Sequence, residues 1–165
     1  MARKAAVVVL CVMVGVLWVF MHGPGVTAQA PAPDQAARDA IANVLKDYVA
    51  AFEAKDIEGV MKVFADGENT IMMGTGENET WVGKENIRTA HNGFFANIKK
   101  ETSERKLLAS QVNGNLAWLD GYTINKQATD SGEQTFQLNL SIVMEKQGAD
   151  WRIISLHFSR LSVPE

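Results

Sequence analysis

Three features of this 165-residue chain predict an α+β fold. Apolar residues recur at three- and four-residue spacing through three stretches between residues 34 and 97, as on helices buried along one side. Four long runs follow in which apolar and polar residues alternate, the mark of strands with one covered face. Short segments rich in Asn, Asp and Gly separate those runs, so successive strands should pair antiparallel. Helices first and a meander of strands after them predict three N-terminal helices packed on a curved antiparallel sheet.

Ahead of the first helix, Arg3 and Lys4 precede an uncharged run from Ala5 to Met21, and Ala28-Gln29-Ala30 offers a small-x-small site. A basic start, an apolar middle and such a site predict a secretory signal peptide over residues 1–30, with cleavage after Ala30. Seventeen residues fall short of the ~20 of a membrane span, the competing reading as an uncleaved anchor. Cys11, the single cysteine, lies inside the apolar run after Leu10, which speaks against lipidation. The exported chain is then one domain of 135 residues without a disulfide, held by its core. Losing Arg3 and Lys4 leaves 14 basic against 19 acidic residues. No basic stripe remains, so nucleic acid and anionic lipid are not expected partners. Residues 31–35 form a flexible lead-in containing Pro31 and Pro33, and the folded domain is expected over 36–163.

Asp34 suits the N-cap of a first helix reaching Lys55, with Ile41, Val44, Leu45, Tyr48 and Phe52 on its apolar stripe. Asp56 caps a short second helix that turns Ile57, Val60, Met61 and Phe64 inward and ends at Asp66-Gly67. A short strand at 70–73, a loop at 74–78 and a second short strand at Trp81-Val82 follow. Gly83 opens a third helix running from Lys84 to about Asn97, with Ile87, Ala90, His91 and Phe94 along one side.

The long strands are expected at 102–113, 116–127, 134–146 and 151–161, joined at Asn113-Gly114-Asn115, Asp130-Ser131-Gly132 and Gln147-Gly148-Ala149-Asp150. In the third, Phe136, Leu138, Leu140, Ile142 and Met144 share a face. In the last, strict alternation puts Ile154, Leu156 and Phe158 on one side and Trp151, Ile153, Ser155, His157 and Ser159 on the other. A face carrying a histidine and two serines, under the first helix, suggests a lined concavity.

The stretch Asp47-Tyr48-Val49-Ala50-Ala51-Phe52-Glu53-Ala54-Lys55-Asp56, continuing to Asp66, resembles the opening of ketosteroid isomerase and of the SnoaL-like polyketide cyclases, members of the nuclear-transport-factor-2-like superfamily. Trp81-Val82-Gly83-Lys84-Glu85-Asn86-Ile87 is similar to that superfamily's strand-into-third-helix segment. Trp151-Arg152-Ile153 with His157 and Ser159 resembles the end of the calcium/calmodulin-dependent kinase association domain. The resemblance implies a cone-shaped nuclear-transport-factor-2-like fold and says little of activity, because this fold hosts isomerases, cyclases, dehydratases, scaffolds and transport factors. It places the isomerase's oxyanion-hole tyrosine on Tyr48. It places the general-base aspartate on Met73, a thioether that cannot exchange a proton. The second acid falls near residues 140–142, where there is no carboxylate.

Among the candidate site residues, Tyr48 would either donate to a ligand oxygen or bond a backbone carbonyl as a core tyrosine. His157 would contact ligand or carry protons, or else lie packed beneath the first helix. His91 is expected in the core or at the rim. Asp120 shares a face with Trp118 and Tyr122; facing the cavity it would be a general base, facing outward it would be solvated or at a subunit interface. The outward placement is preferred. Met73, Trp81, Phe94, Leu140 and Ile142 are candidate cavity walls. After cleavage only His91 and His157 remain and no thiol is left, so no metal set forms. Gly74-x-Gly76 lacks the setting of a dinucleotide loop, and no cofactor is expected.

The expected function is an exported domain that binds a small, largely apolar molecule in its cavity. The alternatives are an isomerase, cyclase or dehydratase of SnoaL-like type, with Asp120 or His157 as base and Tyr48 as stabiliser of negative charge, and an oligomeric scaffold. Homodimerisation is implied by the resemblance.

Overall fold

The computed structural model describes residues 35–160. The leader expected over 1–30, residues 31–34 with the Asp34 cap, and the segment past Arg160 lie outside the described residues. Helix α1 (Gln35–Glu53) is followed by α2 (Ile57–Val63), β1 (Ile71–Met73), β2 (Thr80–Val82), α3 (Lys84–Asn97) and four strands, β3 (Lys100–Asn113), β4 (Leu116–Thr129), β5 (Gly132–Gln147) and β6 (Asp150–Ser159). The three helices and the long meander are those the sequence predicts.

Between α1 and α2 the chain turns at Lys55, a non-glycine residue at φ 55°. Asp56 then accepts the Gly59 N–H at 3.0 Å, capping α2 as expected. The helix stops at Val63, short of Asp66-Gly67, because Phe64 already bridges Ile153 in parallel and the Ala65 N–H bonds the Ile153 carbonyl. That early stop seats Phe64, fully buried, between helices and sheet.

The sheet runs β2-β1-β6-β5-β4-β3. It is antiparallel except where β1 lies parallel to β6, pairing Met72 with Leu156 and Met73 with His157. The curved, mainly antiparallel sheet is as expected; the parallel pair arises because β1 is separated from β6 by the rest of the chain and joins its free edge.

Two irregularities bend the sheet. On β3 the register slips between Leu107 and Ala109, leaving Leu108 unpaired and 66% exposed. Opposite it sits Gly121, where a Cβ would fall 2.3 Å from the Lys106 carbonyl oxygen, so only glycine fits this close approach. On β6, Val143 pairs with Ser155 and Met144 with Ile153, so Ile154 is the extra residue of a bulge.

That second bulge overturns the strict alternation expected for residues 151–161. Trp151 and Ile153 face the core before it, and Leu156 faces the core after it. His157 follows on the opposite face and is exposed. The core joins Phe64, Met61, Ile87, Met72, Met144, Ile153 and Leu156, each at most 2% exposed, with His91 buried among them.

Candidate functional site

Helix α1 crosses the inner sheet face, and a cavity of about 350 Å³ remains between them. The α1 stripe supplies Leu45, Tyr48, Val49 and Phe52, and α3 supplies Phe94. From β5 come Phe136, Leu138, Leu140 and Ile142, placed by the period-two alternation read in the sequence. Leu156 and Phe158 of β6 complete the apolar wall.

The other wall is polar and arises from one cross-strand ladder. Arg105, Ser103 and Glu101 of β3 pair with Thr123, Asn125 and Gln127 of β4, and all six line the cavity. Gln127 Nε2 donates to Glu101 Oε2 at 2.7 Å, and Ser103 Oγ donates to Asn125 Oδ1 at 2.5 Å. Asn125 Nδ2 donates to Thr123 Oγ1 at 2.8 Å. Glu53, the last residue of α1, takes the Ser103 backbone N–H, and Arg105 donates to the Leu45 carbonyl. Burial, above all, raises the Glu101 carboxyl above its ordinary value; the Gln127 amide opposes this and the charge of Glu53 adds to it. Burial also lowers the Arg105 guanidinium. At the cavity edge Glu79 folds back to accept the N–H groups of Thr75 and Gly76, each at 2.8 Å.

Tyr48 and His91 form a buried pair. The Tyr48 hydroxyl lies 3.1 Å from His91 Nε2, and His91 Nδ1 lies 2.8 Å from the Ile87 carbonyl oxygen. A carbonyl only accepts, so the ring proton sits on Nδ1. Burial drops the imidazole to about 4, the Ile87 bond opposing, so the ring is neutral at pH 7 and Nε2 accepts the Tyr48 O–H. Rings of Phe52, Phe64, Phe94 and Phe95 stand edge-on to the imidazole at 5.8 to 6.3 Å. His91 therefore belongs to the core, and the phenol hydrogen is turned toward it. Burial first, then the charge of Glu101, holds the phenol above its ordinary value, with Arg105 opposing.

The cavity brings together Tyr48, Phe94, Leu140 and Ile142 of the residues singled out in the sequence. It does not include Met73, Trp81, His157 or Asp120. Met73 pairs with His157, and His157 with Ser141, whose hydroxyl donates to Asp120. These four make a row on the outer sheet face, and the bulge at Ile154 explains why His157 stands there. Trp81 faces inward beside Met72 but is covered by Phe94, at a ring separation of 5.7 Å. The polar ladder was missed, although the sequence carried its signal. Thr123, Asn125 and Gln127 continue the alternation of Ala117 and Leu119 and so had to share their inward face.

The outer face is apolar in part, with Leu116 49%, Trp118 41% and Ile124 38% exposed.

Comparison with known proteins bears on the fold and on the family. The family model described as SnoaL-like domain matches residues 41–164. No curated protein sequence matches the chain. Among solved structures, a nuclear transport factor 2-like superfamily protein from Salmonella enterica superposes with a TM-score of 0.71 at 17% identity, over 79% of this chain and 95% of that one. A protein named as a candidate aromatic ring hydroxylase, from Novosphingobium aromaticivorans, gives 0.71 at 20% identity, over 80% and 94%. A candidate calcium/calmodulin-dependent protein kinase II association domain from Xanthomonas campestris gives 0.64 at 20% identity, over 81% and 93%. Identities this low show a shared fold alone.

Proposed function

Because this chain belongs to the SnoaL-like domain family, we propose that it is an exported protein that binds a small, largely apolar molecule in the cavity beneath α1. The observation that carries this reading is the cavity's two-sided lining. Phe136, Leu138, Leu140 and Phe158 remain only half-buried against it, while a hydrogen-bonded ladder from Glu101 to Thr123 fixes polar groups opposite. Half-buried aromatic and aliphatic groups gain roughly 25 cal/mol for each Å² a ligand removes from water. Export is supported by the basic start, apolar run and small-x-small site of residues 1–30.

Native mass spectrometry of the protein purified from its own host tests the reading. A bound small molecule is expected on the wild type and not on Leu140→Trp, whose indole would fill the cavity. An unliganded wild type, or a ligand retained equally by the variant, would end the proposal. Proton-transfer chemistry of the SnoaL-like type would draw on Glu101, Glu53 or Glu79, the carboxylates at the cavity, because Asp120 and His157 stand on the other side of the sheet.

A second reading concerns assembly. We infer a homodimer formed through the outer face, supported by the exposed Leu116, Trp118 and Ile124 and by the likeness to proteins named as association domains. Light scattering should give twice the protomer mass for the wild type and a monomer for Trp118→Glu. A monomeric wild type would sink this reading and leave the first intact.

A further inference from the structure

The way Tyr48 is held restricts what a ligand can present to it. Its hydrogen is spent on His91 Nε2, because Nδ1 is committed to the Ile87 carbonyl. What remains on this cavity-lining residue is an oxygen with lone pairs and no hydrogen to give. Glu101 uses Oε2 for the Gln127 amide, and Oε1 takes no bond from the described residues. Ser103 gives its hydroxyl hydrogen to Asn125 and likewise keeps only lone pairs. Tyr48, Ser103 and Glu101 all line the cavity, so a ligand there meets residues whose remaining capacity is to accept.

We propose that the cavity selects a ligand whose polar end donates hydrogen bonds, an O–H or N–H group on an apolar body, over the matching aldehyde, ketone or carboxylate. This rests on the reading of the cavity as a binding site and specifies the chemistry of its ligand. Placing a bare carbonyl oxygen against the Tyr48 oxygen would set two acceptors face to face and leave both unsatisfied. A carboxylate would also meet the charges of Glu53, Glu79 and Glu101 with Arg105 and Arg160 opposing them. The groups that would favour an acceptor are Arg105, one of whose nitrogens is engaged by Leu45, the Thr123 hydroxyl, and the second N–H of Asn125 and of Gln127. Against these, Tyr48 sits on the α1 stripe with its ring against Phe64 of the core, and its oxygen only accepts.

The test is calorimetric titration of the purified protein at pH 7 with four probes sharing one ring system: 1-naphthylmethanol, 1-naphthylmethylamine, 1-naphthaldehyde and 1-naphthoate. The alcohol and the amine are expected to bind about tenfold tighter than the aldehyde and the carboxylate, the scale set by leaving one buried polar group unpaired. Tyr48→Phe keeps the ring and removes the acceptor, so it should bring the alcohol and the aldehyde to within about twofold of each other. Glu101→Gln keeps the shape of the ladder and should weaken the amine more than the alcohol. An aldehyde or carboxylate that binds as tightly as the alcohol overturns the inference, as does a Tyr48→Phe variant with unchanged discrimination. If none of the four binds, or if Leu140→Trp leaves all four affinities unchanged, the cavity reading itself falls and this inference with it.

Discussion

Lowering the pH should destabilise this protein through His91. The imidazole is fully buried among four phenylalanine rings, and no carboxylate contacts it in the described structure. In the folded chain it titrates at about 4, against 6.5 when unperturbed. A depressed value means that the unfolded chain binds a proton more readily than the folded one. Stability from this group is therefore complete above pH 6.5 and is lost as the pH falls from there toward 4. Each unit of difference is worth 1.36 kcal/mol, so the loss amounts to about 3 kcal/mol, a large share of the 5 to 15 kcal/mol that holds a typical domain. Glu101 works in the opposite direction, since its raised carboxyl favours the folded state at low pH. The comparison must therefore be made against His91→Gln, in which Glu101 still titrates. Urea unfolding followed by tryptophan fluorescence from pH 4 to pH 7 should show wild-type stability rising relative to the variant by about 3 kcal/mol, mostly between pH 4.5 and 6. Parallel profiles would refute the argument, because they would mean that His91 is charged or solvated in the folded state.

Three variants test the remaining parts of the structure. Gly121→Ala should destabilise by about 2 kcal/mol or more in thermal unfolding, since the added methyl would sit 2.3 Å from a backbone oxygen that cannot swing aside; a neutral result would mean that β3 does not cross β4 there. Phe64→Ala, at a fully buried ring seated between helices and sheet, should cost about 3 to 5 kcal/mol in urea unfolding, and a loss below about 1 would contradict its place in the core. Asp120→Asn combined with His157→Ala should leave 1-naphthylmethanol binding unchanged by calorimetry, because both side chains lie on the outer face, and a marked loss would put that row back at the cavity.

The helices were legible because each buries a continuous stripe, and continuous stripes survive without any long-range information. Tyr48, Phe94, Leu140 and Ile142 were found at the cavity for the same reason: their spacing alone fixes the face they share with core residues. His157 was misplaced because alternation counts residues, and the bulge at Ile154 adds one that no local pattern marks. Ile154 is as good a strand residue as its neighbours, so nothing in its chemistry announces that it is unpaired. Met73 followed His157 to the outer face, since parallel pairing of β1 with β6 ties the two together. Glu101 and the ladder failed differently. Thr123, Asn125 and Gln127 are polar residues in strand alternation, a pattern that solvent-facing and cavity-facing positions share, so only their register with Ala117 and Leu119 marks them as inward.

The polar end of the inner face has a geometric setting. Nineteen helical residues make α1 about 28 Å long, at 1.5 Å per residue. Sixteen strand residues make β5 about 50 Å long, at 3.2 to 3.4 Å per residue. The helix is therefore about half as long as the strand it faces, and it reaches the polar end through Glu53 and Leu45. At the covered end Ala117 pairs with Met144 and Leu119 with Ile142, all four buried and none polar. At the other end Thr123 pairs with Leu138, Asn125 with Phe136 and Gln127 with Gln134. The change in character falls at Gly121, where the β3 bulge turns the sheet. Beyond it Thr123 and Asn125 are still buried, 5% and 3% exposed, and their polar groups bond within the ladder. β4 and β3 supply the polar half and β5 the apolar half. The cavity is thus space that α1 spans without filling: Leu45 and Glu53 of the helix reach Arg105 and Ser103 of β3, and the face between them passes from apolar on β5 to polar on β4 and β3.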